Sequence, residues 1–420
     1  MSEELLYFIW QQKHFNSAQL KTTAGERLAV LNSGMRNHDS GPDFTQAKIR
    51  IASDLLAGNV EIHVRSSDWK KHRHQHDKAY SNVILHVVYE DDEKNPAPEL
   101  PTLELKDKID PKFFSRYRQL MGNMGWIPCE SLIGQVDRLF ISSGLHRLMI
   151  ERLEQKTKDI LERLLQNKNS WEETFYHITA RNFGLKVNAD AFELLAKSLP
   201  LKIIARHKNS LPQIEALVFG QAGLLEQKFR DEYPNSLKKE FGFLRKKYGL
   251  QPMPAHLWKF MRLRPPAFPT VRLAQFAMLL YESSYLFSKI LEADKVKQLA
   301  KLFHAEPSAY WANHYRFDAV SKNRIKTPGQ DFIHTLIINA VIPVMFIYGK
   351  SKDNRGIQDK SLSFLEQLPF EKNAIIRKWQ SLGIQPSSAF DSQALLQLKN
   401  RYCSQKRCLN CHIGNKLLSL

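Results

Sequence analysis

Apolar residues keep two different rhythms along this chain, and the change falls near residue 115. In SEELLYFIWQQKHF the apolar positions 5, 6, 8, 9 and 10 follow a serine and two glutamates, which predicts an opening helix. LAVLNSG predicts a short strand. FTQAKIRIA alternates, with Ile49 and Ile51 on one face, and LLAGNVEIHV returns after a turn placed at Ser53–Asp54, giving a β-hairpin. A polar, histidine-rich stretch, SSDWKKHRHQHDKAY, comes next. NVILHVVYE is then a near-continuous apolar run, as expected of a buried central strand, and PAPELPTLEL is a further extended piece. The order is helix, three strands, a short insertion and a strand, a small α/β domain over residues 1–115.

Beyond it the period becomes helical. VDRLFISSGLHRLMIERLEQKTKDILERLLQ carries its charges on one face, and helical segments recur through residues 171–300, broken by LPLK, EYPNS and RLRPPAFPT without a fixed repeat. Residues 126–400 therefore read as a large all-helical domain, and 401–420 as a cysteine-bearing C-terminal tail. The expected class is α+β. FIHTLIINAVIPVMFIYG, residues 332–349, is the most apolar run. It barely reaches spanning length and contains His334, Asn339 and Pro343, so it reads as a buried helix with no membrane partner. The first 20 residues show no signal-peptide pattern, and a cytoplasmic protein is expected.

Composition adds a partner class. Hydrophobic residues make up 43% of the 420, enough for real cores, and the formal net charge is +18. The first 100 residues hold 12 Lys and Arg against 14 Asp and Glu, so the positive excess lies in the remainder. A basic body beside a locally acidic segment suits a polyanion such as nucleic acid. LKKEFGFLRKKYG places Lys238, Lys239, Arg245 and Lys246 as pairs seven residues apart, interleaved with aromatics, and these are candidate phosphate contacts. Arg262, Arg264 and Arg272 around a Pro-rich corner can brace the fold or grip phosphate. No Walker loop, helicase motif or nucleotide fingerprint is present.

The hairpin carries the chemistry. The turn at Ser53–Asp54 puts Asp43 opposite Val64 and close to Glu61 and His63, which share one face. Two carboxylates so placed repel unless protons or a cation neutralise them, and a hard divalent ion, Mg²⁺ or Mn²⁺, resolves the conflict. PD, 17 intervening residues and ExH resembles the PD-(D/E)XK nuclease superfamily, whose core order of helix, three strands, helix and strand also fits the first quarter of the chain. The resemblance implies a restriction-endonuclease-like domain with Asp43 and Glu61 as metal ligands, the Ile62 carbonyl completing the first shell, and Glu4 or Glu3 as the auxiliary acid. His63 stands where that superfamily has lysine. A histidine there can act as base or hydrogen-bond donor, can ligate metal, or marks an inactive descendant. Arg65 and Lys70 are candidate phosphate contacts, with Asp68 and Trp69 at the rim. The whole chain also resembles an uncharacterised bacterial family with the same GPDF, GNVEIHV, SDW and LHVV segments and the cysteine tail, a family without an assigned function.

Two further groups remain. His72, His74 and His76 alternate. On a strand they would share a face and suit a transition metal, whereas on a helix or loop they diverge. The expected reading is a polar loop with one satisfied core histidine, His86. Cys403, Cys408 and Cys411 have the spacing C-x4-C-x2-C, and Cys129 can supply a fourth thiolate from afar, for zinc or an iron–sulfur cluster. His412, next to Cys411, is awkward for the same ion. One remote cysteine with three near the C-terminus resembles the iron–sulfur staple of some nucleases of that superfamily, although there the remote cysteine precedes the nuclease motif. Reduced thiols without metal are the alternative. The expected function is a metal-dependent, nuclease-like phosphodiesterase acting on nucleic acid, with the basic helical domain as clamp. The alternatives are a degenerate nuclease fold that binds nucleic acid or protein, and an unrelated hydrolase using a histidine-bound metal.

Overall fold

Ser2 starts the first helix by accepting the Leu5 N–H, and Lys13 ends it in the left-handed conformation. This helix, α1 (Glu3–Gln12), belongs to a computed structural model of the chain that describes residues 1–93 and 100–420. Its buried face is Leu5, Leu6, Phe8, Ile9 and Trp10, and the Trp10 indole N–H donates to the Ser33 carbonyl at 2.9 Å. The contacts divide the chain into two units, Met1–Gly144 with Leu398–Leu420, and Leu145–Gln397. The first holds the large sheet and the second is mostly helical.

The sheet contains β1 (Leu28–Asn32), β2 (Met35–Arg36), β3 (Phe44–Ile51), β4 (Asp54–Arg65), β5 (Val83–Glu90) and β6 (Thr102–Glu104). Its order is β1-β3-β4-β5-β6, with β2 also on β3. The β1, β3 and β4 neighbours are antiparallel, whereas β4–β5 and β5–β6 are parallel. A parallel neighbour requires a crossover, here supplied by α2 (Asp68–Lys71) and 3₁₀ turns at His74–His76 and Lys78–Tyr80. Leu85 to Val88 at the centre of β5 are fully buried, as its continuous apolar pattern requires.

The hairpin register differs from expectation. Ile51 pairs with Asp54, so the turn is Ala52–Ser53, with Ala52 at φ 51°. A β-bulge at Gln46 (φ 57°) then shifts the register between Ala47 and Phe44, which faces Val60. Asp43 is thereby delivered to Glu61 rather than to Val64.

The sheet-bearing unit runs past residue 115 because α3 (Pro111–Gly122) and the turn Ile133–Gln135 form the surface on which the C-terminal helix, His412–Ser419, packs. The last 23 residues accordingly fold with the first unit rather than as a separate tail. Helix α4 (Arg138–Gln166) leads into the other unit. That unit is not wholly helical, since His314–Arg316 and Ala319–Val320 pair as a small antiparallel hairpin turning at Asp318 (φ 57°). The helical run Gln330–Ser351 is long and apolar enough to cross a membrane, and 78% of its most apolar window is buried within the protein. A π-turn at Ile337–Val341 precedes Pro343, whose missing N–H breaks the regular ladder.

Candidate functional site

Asp43 immediately precedes β3 and is held by several hydrogen bonds. Its N–H donates to Glu61 Oε2 at 3.0 Å, its Oδ2 accepts the Ile62 N–H at 3.0 Å, and its Oδ1 receives Arg36 Nη1 at 2.9 Å. The Arg36 guanidinium in turn lies 3.5 Å over the Tyr7 ring of α1. Asp43 and the β4 backbone therefore fix one another.

Glu61 is buried, and its second oxygen turns to imidazoles. Oε1 lies 3.6 Å from His63 Nε2 and 3.4 Å from His74 Nε2. Burial, then the Asp43 charge, pushes the Glu61 carboxyl up to about 8. His63, two residues on, shares its face. His63 Nδ1 is 2.9 Å from His86 Nε2, one donating and the other accepting, and His63 Nε2 is 3.2 Å from His72 Nδ1. Burial, followed by the neighbouring imidazoles, lowers His63 and His86 to about 3 each, which keeps both rings neutral.

The crossover brings in the other rings. Asp68 Oδ2 accepts the Arg65 N–H at the end of β4, so α2 starts directly above the strand. Trp69 is buried against His74 and His86 at centroid distances of 5.3 and 5.2 Å. Arg73 takes φ 60°, reversing the chain between His72 and His74. One nitrogen from each of His63, His72 and His74 thus lies within 4.8 Å of the others. His76 is exposed and is not in this group. A loop was expected to make the histidines at 72, 74 and 76 diverge, but the left-handed Arg73 makes the first two converge.

The donor set fits a transition ion. Three imidazoles and a carboxylate suit zinc, manganese or iron better than magnesium, which prefers oxygen. Among the described residues, His74 Nε2 and His86 Nδ1 are buried without a hydrogen-bond partner. His74 Nε2 faces Glu61 Oε1 at 3.4 Å without hydrogen-bond alignment, an arrangement a cation between them would satisfy. Of the expected hard-ion set of Asp43, Glu61 and the Ile62 carbonyl, Asp43 and Glu61 meet directly, and the Asp43 oxygens each accept one hydrogen bond, from Arg36 and from the Ile62 N–H.

The remaining candidates separate. On α1, Glu4 is exposed and influences Tyr117, whereas Glu3 reaches Tyr7 Oη at 3.4 Å and acts on Glu61. Consecutive helix residues point about 100° apart, which is why one acid faces the site and the other does not. Arg65 is exposed, and Lys70 pairs with Glu93 at 2.5 Å. In the helical unit, Lys238 donates to the carbonyls of Glu226 and Gln227, and Arg245 lies 3.7 Å from Glu226. Lys239 and Lys246 are exposed on the same helix beside Phe243. Cys129, Cys403, Cys408 and Cys411 form another group in the sheet-bearing unit. Sequence reasoning did not find Arg36 or the His63–His86 link. The parallel register that sets Glu61 beside His86 was the hidden term, and the signal was a histidine inside the apolar run LHVV.

Fold and site define a mixed α/β protein with a large helical region and a partly buried carboxylate–imidazole cluster between the sheet and its crossover. The chain belongs to a family described as a protein of unknown function (DUF2851), whose model matches residues 3–374. The match includes Asp43, Glu61, the site histidines and Cys129, and the other three cysteines follow it. Comparison with curated proteins and with solved structures gives no match.

Proposed function

We propose that this protein is a metal-dependent phosphodiesterase acting on nucleic acid, with its metal held by Glu61, His63, His72 and His74. The observation that carries the reading is the meeting of three imidazole nitrogens within 4.8 Å beside the Glu61 carboxylate. A divalent ion in that donor set supplies an acidified water and a positive charge for the phosphoryl oxygens. The protein's own residues do the rest. His86 holds His63 by Nδ1 and leaves Nε2 toward the site, and Asp43, anchored by Arg36, fixes the β4 backbone that presents Glu61. The order α1, three antiparallel strands, crossover and parallel β5 supports kinship with the PD-(D/E)XK nucleases, as does the direct bond between Asp43 and Glu61. The exposed Lys239 and Lys246 support a polyanionic substrate.

The full engagement of Asp43 and the histidine in place of lysine favour a second reading, a degenerate nuclease fold that binds without cleaving. Calorimetry with Mn²⁺, Zn²⁺ and Mg²⁺, alongside a nuclease assay, separates the two. Transition-ion binding and cleavage are expected in the wild type, both lost in Glu61→Ala and in His72→Ala/His74→Ala. Mg²⁺ binding that disappears in Asp43→Ala but survives the histidine changes would restore the hard-ion arrangement. Metal binding without cleavage, or no binding at all, would leave the binding module.

A further inference from the structure

The C-terminal residues return to the first unit beside a loop that already carries a cysteine. Lys399 Nζ donates to the Trp126 carbonyl at 2.8 Å, and Lys406 Nζ donates to the Met121 carbonyl at 2.8 Å. The loop they reach is itself ordered, since Asn123 Nδ2 donates to the Pro128 carbonyl and Glu130 accepts the Trp126 N–H. Cys129 is buried in that loop, and its carbonyl accepts the N–H groups of Leu132 and Ile133.

The three other cysteines sit on tight turns. Cys403 starts a 3₁₀ turn that ends at Lys406 in the left-handed conformation, and Cys408 starts another that ends at Cys411. Helix His412–Ser419 then leaves, with Gly414 packed so closely on Cys408 that an added Cβ would stand 2.2 Å from its carbonyl oxygen. Cys408 and Cys411 are buried, Cys403 is partly so, and all four cysteines are reduced. Cys403 feels the charges of the other three cysteines, and Cys129 those of Cys411 and Cys408. Lys399 acts on Cys403 and Lys406 on Cys408, placing cations where thiolates would need them. The His412 ring stacks on Phe140 at 3.8 Å between centroids and lies against Gly144.

We infer that Cys129, Cys403, Cys408 and Cys411 form a four-thiolate metal site, with the remote Cys129 rather than His412 as fourth ligand. Three buried thiols and a partly buried one with no disulfide, two of them on 3₁₀ turns and flanked by lysines, match the chemistry of a structural zinc ion or an iron–sulfur cluster. Its role is to fasten the returning chain to the loop at residues 121–133.

The test uses the full chain, purified without oxygen, and thiolate-specific readouts that ignore the histidine cluster. Metal and sulfide analysis of the His72→Ala/His74→Ala protein, which leaves the cysteines alone, is expected to give either one zinc, or iron with matching acid-labile sulfide and visible colour, the first assigning a single ion and the second a cluster. After metal removal, Co²⁺ titration is expected to give a one-equivalent thiolate-to-cobalt charge-transfer band, retained in His412→Ala and absent in Cys129→Ser and Cys408→Ser. Wild type alone guards against misfolded variants: its four thiols should be shielded from a thiol reagent until a chelator releases the metal, and trypsin should then cut faster at Lys406 and Arg407. Absence of both zinc and iron together with no cobalt band overturns the site. A band that survives Cys129→Ser, or that is lost in a folded His412→Ala protein, overturns the ligand assignment.

Discussion

Glu61 and His63 titrate in opposite senses, and that separates their effects on stability. In metal-free protein, Glu61 keeps its proton to about pH 8 when folded but to only about 4.5 in its ordinary state, so the folded form binds more protons between these values. Stability from this group is therefore lost as pH rises through that window. His63, lowered to about 3 from 6.5, does the reverse, and stability rises with pH until about 6.5. Between pH 6.5 and 8 only the Glu61 slope of this pair remains. Glu61→Gln should thus gain on wild type across that interval by about 2 kcal/mol, read by denaturant unfolding in chelator. Added Mn²⁺ or Zn²⁺ should reverse the ranking, because wild type alone has the carboxylate to bind it. Arg36→Ala leaves Asp43 beside Glu61 without its partner, and unfolding should show a loss of about 1–3 kcal/mol for this partly buried pair.

At the scale of elements, the site depends on two left-handed residues, Gln46 in the bulge and Arg73 in the crossover. Arg73→Val forces a β-branched residue into that conformation and should reduce transition-metal affinity at least tenfold by calorimetry, whereas Arg73→Gly should retain it. These residues also mark where sequence reading stopped. The helix, the hairpin and the buried strand were legible because α1, β3 and β5 have clean periods and a serine cap. Asp43 and Glu61 were legible as a pair. The bulge at Gln46 was not, because a glutamine inside an alternating strand gives no local signal for positive φ. His72 and His74 were noted as possible ligands only on a strand, yet they converge through a turn, where divergence was expected. His86 became part of the cluster only once β4 and β5 were parallel, a tertiary pairing that no local pattern specifies.

For the whole molecule, the basic excess has two kinds of cationic side chain. Lys239 and Lys246 stand in solvent, while Lys238 and Arg245 brace the loop at Glu226–Gln227. Reversing the first pair to glutamate should weaken nucleic-acid binding uniformly across sequences and flatten its dependence on log salt by about 2. Replacing the second pair by alanine should loosen the loop and leave that slope unchanged, as fluorescence titration at several salt concentrations would show.

The division of the sheet-bearing unit has a consequence for how the protein is made. A ribosome releases Met1–Gly144 first and must then synthesise Leu145–Gln397 before Leu398 emerges. At ordinary elongation rates that interval is roughly 10–50 s. Throughout it Phe113, Leu120 and Ile133, buried in the finished protein, lie on segments whose partner helix with Ile413, Leu417 and Leu418 does not yet exist. The helical unit can fold during this wait, but the sheet's unit cannot close. Its final assembly thus waits until residues 398–420 have left the ribosome.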